Sequence, residues 1–216
     1  MARDFERNHL TTPLRHKIMR TETRTYEVYR IDELSDKAKE NAYSQWLAGY
    51  EYPWQSENMA TLKAFEGIFN IRVYDWKYDG CTCYYRFTSN YSEEEEGLCG
   101  VRLLKFIVNN YWYSLFKPKT YWHGKDFNKR RNSHISVTDD CVLTGYCADM
   151  DILKPIYDFL KSPDKHTNLH DLMDECIANF FRFCSKDVEY CTDEEAFEHD
   201  CETNEYEFLS NGEFFN

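Results

Sequence analysis

The chain has 216 residues, 17% of them aromatic (17 Tyr and 15 Phe), and a formal net charge of −12. Such a chain buries a real core in one domain and is excluded from the disordered class. Its net acidity excludes a protein that coats nucleic acid with a basic surface. No apolar run approaches the roughly 18–20 residues of a membrane span. The amino terminus is charged where a secretory signal would be apolar, so a cytoplasm is the expected compartment.

Residues 1–24 form a polar segment with Arg3, Arg7, Arg15, Lys17 and Arg20 and no helical or strand period. They read as a flexible basic arm added to a single domain over 25–216. Residues 25–31 alternate as a strand does. Ser35 then caps a helix over 36–49, with Ala38, Ala42 and Trp46 on one face. A second helix starts at Ser56 and carries Met59, Leu62, Phe65 and Phe69 inward. Residues 71–78 and 81–88 flank Asp79-Gly80 as a two-residue hairpin, and 90–96 read as an acidic loop. Residues 98–116 are the longest apolar helix, through Val101, Leu104, Ile107, Val108, Tyr111 and Leu115.

A basic stretch over 117–132 follows, with Lys117, Lys119, Lys125, Lys129, Arg130 and Arg131 beside Tyr121, Trp122 and His123. A sub-boundary near 130 is the one candidate division of the domain. Residues 134–160 are the segment around which the rest is expected to pack. Ile135, Val137, Val142, Leu143 and Tyr146 form two apolar runs about the turn Thr138-Asp139-Asp140. Asp149 then caps a helix with Ile152, Ile156, Phe159 and Leu160 on one face, kinked or delayed by Pro155. Thr167 begins a further helix carrying Leu169, Leu172, Met173, Cys176, Ile177, Phe180 and Cys184. Thr192 caps a short acidic helix to about 203, and a small hairpin closes the chain. Antiparallel hairpins with grouped helices on one side make an α+β domain with an acidic terminal helix and hairpin.

Candidate chemistry is sparse. The nine Cys are odd in number and lack a C-x-x-C pair, which suits free thiols in a reducing compartment. Cys81, Cys83 and Cys99 do not have structural-zinc spacing. His166, His170 and Asp174 recur every four residues, the minimum for a divalent metal, but His166 precedes the helix and no general-base Glu accompanies them. Asp139, Asp140, Asp149 and Asp151 surround the central segment as carboxylates surround a two-metal nuclease site. The Lys one residue beyond an acid is missing, and turn and cap duties account for all four. No phosphate-binding or nucleophile motif is present. No cofactor, no metal and no enzymatic activity are expected.

Charge is the strongest signal. From residue 133 onward there are 5 Lys and Arg against 20 Asp and Glu, and residues 187–216 hold 11 carboxylates with no Lys or Arg. Asp187, Glu189, Asp193, Glu194, Glu195, Glu198, Asp200, Glu202, Glu205 and Glu207 are the candidate partner-binding residues. They alternate with Val188, Tyr190, Phe197, Tyr206 and Phe208, so they belong to folded elements. Carboxylates held rigid in that way imitate the phosphates of a nucleic-acid strand. The basic aromatic stretch, Lys117 to Arg131, is the candidate for direct contact with single-stranded nucleic acid.

The run YEVYRIDELSDKAKENA beginning at Tyr26, with NMATLKAFEGIF and CVLTGYCADMDILKPIYDF further on, resembles a family of small acidic proteins from phages and mobile elements of gut bacteria. Its members bear an antitoxin-like label. The resemblance runs over most of 25–215, omits the basic arm and carries no catalytic motif. It implies anti-defence biology in a bacterial host cytoplasm, compatible with an anti-CRISPR inhibitor. The expectation is therefore a non-enzymatic viral inhibitor, a DNA mimic whose acidic face occupies the basic channel of a CRISPR or restriction nuclease. The alternatives are an antitoxin or DNA-binding autoregulator acting through the arm or the basic stretch, and a metal-dependent enzyme on nucleic acid or nucleotide. No membrane partner is expected.

Overall fold

In the computed structural model, which describes residues 23–116 and 141–215, helices carry most of the described residues and one antiparallel hairpin supplies the strands among them, an α+β fold. The first helix, α1 (Asp36–Gly49), follows Ser35, whose side chain accepts no capping bond. The second, α2 (Gln55–Phe69), buries Leu62, Phe65 and Phe69 and ends on Asn70 in the left-handed conformation, φ 49°. Asparagine tolerates that conformation at a helix end.

Strand β1 (Ile71–Tyr78) pairs with β2 (Cys83–Ser89). Ile71 and Val73 point inward; Asp75, at φ 50°, then bulges the strand between Tyr74 and Lys77. The bulge re-aims the alternation, so Trp76 and Tyr78 cover Phe181. The connection is longer than the predicted two-residue turn. Residues 79–82 form it, with the Asp79 carboxylate accepting the N–H of Cys81 at 2.9 Å and of Thr82 at 2.8 Å. These bonds hold the Asp79 carboxyl below its usual pKa. The predicted acidic loop contains a single-turn helix, α3 (Glu93–Glu96), closed by a Ser92–Glu95 capping box. Helix α4 (Gly100–Leu115) buries Leu103, Ile107 and Leu115, whereas Val101 is 63% exposed. Its apolar residues are too many to define one stripe from spacing alone.

The centre differs most from expectation. Ile135, Val137, Thr138, Asp139 and Asp140 lie outside the described residues, and residues 141–147 form no strand. They wrap the side chain of Asp149. Its Oδ2 accepts the N–H groups of Leu143, Thr144 and Gly145 at 2.9, 2.7 and 3.0 Å. Its Oδ1 accepts the hydroxyls of Thr144 at 2.7 Å and Thr61 at 2.9 Å. Asp149 is therefore no cap: it lies inside α5 (Ala148–Lys161), fully buried. Five donors directed at one carboxylate replace the cross-strand bonds that a hairpin would supply.

Pro155 sits within α5 and is buried. Lacking an N–H, it leaves the Asp151 carbonyl without its helical donor. Asn179 of α6 (Leu169–Cys191) replaces that donor, its Nδ2 lying 2.6 Å from the Asp151 oxygen. Helix α6 begins behind Asn168, not at Thr167, because the Asn168 side chain accepts the Asp171 N–H at 2.9 Å. It buries every residue of the predicted stripe from Leu169 to Cys184 and forms the main core with α2, α4 and α5.

A second, smaller core joins the two ends of the described chain. Ile31, Leu34, Ala38 and Ala42 meet Phe197 and Cys201 of α7 (Glu194–Thr203) and Phe208 beyond it. The predicted strand over 25–31 shrinks to one bridge, Tyr29 to Phe208, before a 3-10 turn at Ile31–Glu33. The terminal hairpin is likewise one bridge, Phe208 to Phe214. Gly212 closes this turn onto α1 at φ 86°; a Cβ there would stand 2.0 Å from the Ala38 oxygen. Only glycine fits that approach. Residues 1–22 of the predicted arm and the sub-boundary near 130 lie outside the described residues.

Candidate functional site

The acidic surface begins on the last turns of α6, crosses the turn at Thr192 and continues along α7 to the terminal segment. Helix α7 starts at Glu194 because Asp193, not Thr192, caps it: its Oδ1 accepts the Ala196 N–H at 2.8 Å. Helical rise then places Glu194, Glu198 and Glu202 about 6 Å apart along one face. All three are exposed, with Glu195 beside them, and Phe197 and Cys201 point the other way into the second core. Glu189, Glu205 and Glu207 are also exposed.

Three of the predicted residues do structural work as well. Asp187 accepts the Tyr52 hydroxyl. Asp193 is the cap. Asp200 accepts the Trp46 indole N–H at 2.8 Å and the Asn204 amide at 2.7 Å, tying α7 to α1. Among the described residues, none of the carboxylates from Asp187 to Glu213 forms an ion pair; the recorded pairs involve Asp75, Asp79 and Asp158. The field they create is visible on their neighbours. Burial pushes up the Tyr43 hydroxyl, and Glu194 and Asp193 push it further. The Cys201 thiol rises to about 12, through burial first and then Asp200 and Glu198.

The scaffold beneath this surface is aromatic. Phe197 lies 5.5 Å from the Tyr43 ring and 5.4 Å from Trp46, and the Tyr43 hydroxyl donates to the Thr192 carbonyl at 2.5 Å. Such contacts fix the backbone that carries the acids. One aromatic expected in a folded interior is not there: Tyr190 is 76% exposed. With Trp46 and Tyr50 it lines a groove between the end of α1 and the turn from α6 into α7. Spacing in the sequence could not find it, because Tyr50 and Tyr190 are 140 positions apart.

The metal candidates stay separate. The His170 ring stacks on Phe87 at 4.9 Å, Asp174 accepts the Tyr85 hydroxyl at 2.9 Å, and His166 lies before α6 in a turn held by Asp164. Cys83 is exposed on β2, Cys81 belongs to the 79–82 loop, and Cys99 precedes α4. Asp149 is occupied by five donors, and Asp139 and Asp140 lie outside the described residues. Among the described residues, no group of three or more His, Cys, Asp or Glu could hold a metal ion, and no helix is long and apolar enough to cross a membrane. Lys117, Lys119, Lys125, Lys129, Arg130 and Arg131 lie outside the described residues. No family model, curated protein or solved structure matches the chain.

Proposed function

We propose that this protein is a non-enzymatic inhibitor whose acidic carboxy-terminal face occupies a basic nucleic-acid-binding channel in another protein. The observation that carries this reading is the row of exposed carboxylates on α7, held over an aromatic core with no ion pair among the described residues. Fixed negative charge on a rigid backbone gives a basic channel the electrostatic partner it otherwise finds in nucleic acid. The same arrangement favours fast, salt-sensitive association. The choice of partner, a host defence nuclease of CRISPR or restriction type met by a phage or mobile-element protein, rests on the resemblance of the runs from Tyr26, Asn58 and Cys141 to that family.

Reversing Glu194, Glu195, Glu198 and Glu202 to Lys tests the face as one surface. These side chains are exposed and make no hydrogen bond among the described residues, so circular dichroism should be unchanged. Binding and protection of DNA against the nuclease should be abolished, and for the parent both should weaken as salt is raised. A folded quadruple variant that inhibits like the parent overturns the reading.

A further inference from the structure

The groove between α1 and the start of α7 has a volume of about 540 Å³ and combines two chemistries. Trp46, Tyr50 and Tyr190 supply aromatic surface, and Asp193, Glu195 and Asp200 supply carboxylates. Neighbouring grooves contain their own cations: Lys39 lines the one on the other side of α7, and Arg182 and Lys186 line the one around Asp187. Among the described residues this groove has neither Lys nor Arg in its wall, and His199 is its basic side chain. Asp193 and Asp200 are held by the α7 cap and by the Trp46 indole. Glu195 is exposed and makes no hydrogen bond recorded among the described residues.

We propose that this groove receives an arginine side chain of the basic partner, which deepens the function proposed above and rests on it. A guanidinium is planar and weakly hydrated; it stacks on an aromatic face while its edge donates to a carboxylate. Aromatic rings beside carboxylates that face no Lys or Arg among the described residues match both demands at once. A lysine ammonium uses the charge but gains less from stacking, and an aliphatic side chain uses neither. Exposed aromatic surface at the edge of an acidic face also has the composition of an interface anchor, where Tyr, Trp and Arg are enriched. The groove therefore adds position to the charge of α7: the outer face attracts, and the groove fixes register.

The test uses the whole protein labelled with nitrogen-15 and three capped peptides, acetyl-Gly-Arg-Gly-amide and its lysine and norleucine analogues. The Trp46 indole N–H signal is assigned by its loss in Trp46→Phe. The arginine peptide should shift that signal saturably, the lysine peptide more weakly, and the norleucine peptide not at all. Tyr190→Ala should weaken arginine binding about threefold to tenfold and Glu195→Gln about threefold to fivefold, both at exposed positions. The double change Glu198→Gln with Glu202→Gln, on the outer face, should leave it within twofold. An unmoved indole signal, or equal weakening by outer-face and groove variants, overturns the proposal. Poly-arginine separates the two claims. If its binding survives the groove variants and is lost in the outer-face variant, the groove fails and the acidic face stands. If it fails to bind the parent, both fall.

Discussion

Asp149 is fully buried, and its carboxylate forms no ion pair among the described residues. A buried carboxyl group needs hydrogen bonds in place of its water, and five donors from residues 61 and 143–145 supply them. The loop before α5 takes its shape from this one side chain. Asp149→Asn keeps the volume and can keep its oxygen on the three backbone N–H groups. Its amide N–H groups then face the Thr61 and Thr144 hydroxyls, which must turn from donors into acceptors, and every charge-assisted bond is lost. The change should cost about 2–4 kcal/mol of stability. Chemical denaturation read by tryptophan fluorescence measures it, and a variant within 0.5 kcal/mol of the parent would contradict the account. Nothing local in the sequence separates this Asp from a helix cap. Its donors arrive partly from Thr61, 88 residues away, and the apolar residues Val142 and Leu143 imitate a strand.

At the scale of elements, the pairing of α5 with α6 is the centre of the main core, and Pro155 is its weak point. The carbonyl of Asp151 is freed by the proline and rescued by Asn179 across the helix interface. Asn179→Leu removes the donor from a partly buried site and should lower stability by about 1–3 kcal/mol. Restoring a helical N–H with Pro155→Ala in the same chain should recover part of that loss, and thermal melts of the single and double variants check the coupling. If the two changes add independently, Asn179 does not serve the proline. Most helices here were legible from spacing: the stripes of α2 and α6 are regular, and Asp79-Gly80 marks the hairpin. Illegible features are those made by distant segments. Asp75 hides a bulge because left-handed Asp has no period. The outer strands at 25–31 and 206–215 alternate convincingly, yet among the described residues they form isolated bridges and no strand, Tyr29 to Phe208 and Phe208 to Phe214. The acidic face was legible from composition, since residues 187–216 contain no base. The groove beside it was not, as its Tyr walls come from opposite ends of the chain.

At the scale of the molecule, two cores divide the labour. The main core buries the hairpin and helices α2, α4, α5 and α6, and the smaller core clamps α7 and the terminal turn to α1. The acids are thus carried by a unit anchored at Gly212, Phe197 and the Trp46–Asp200 bond. Rigidity is what distinguishes a charge array that binds from one that only solvates, because ordering a mobile acidic tail costs entropy at the moment of binding. The acidic face and nucleic acid are proposed to compete for one basic channel. The most direct measurement is competition on the proposed partner, a CRISPR or restriction nuclease of the host, with fluorescent duplex DNA as reporter and this protein as titrant at two salt concentrations. The account predicts complete displacement of the DNA by the parent and none by the Glu194, Glu195, Glu198 and Glu202 charge-reversed variant. A stable complex containing the nuclease, the DNA and this protein together would contradict it.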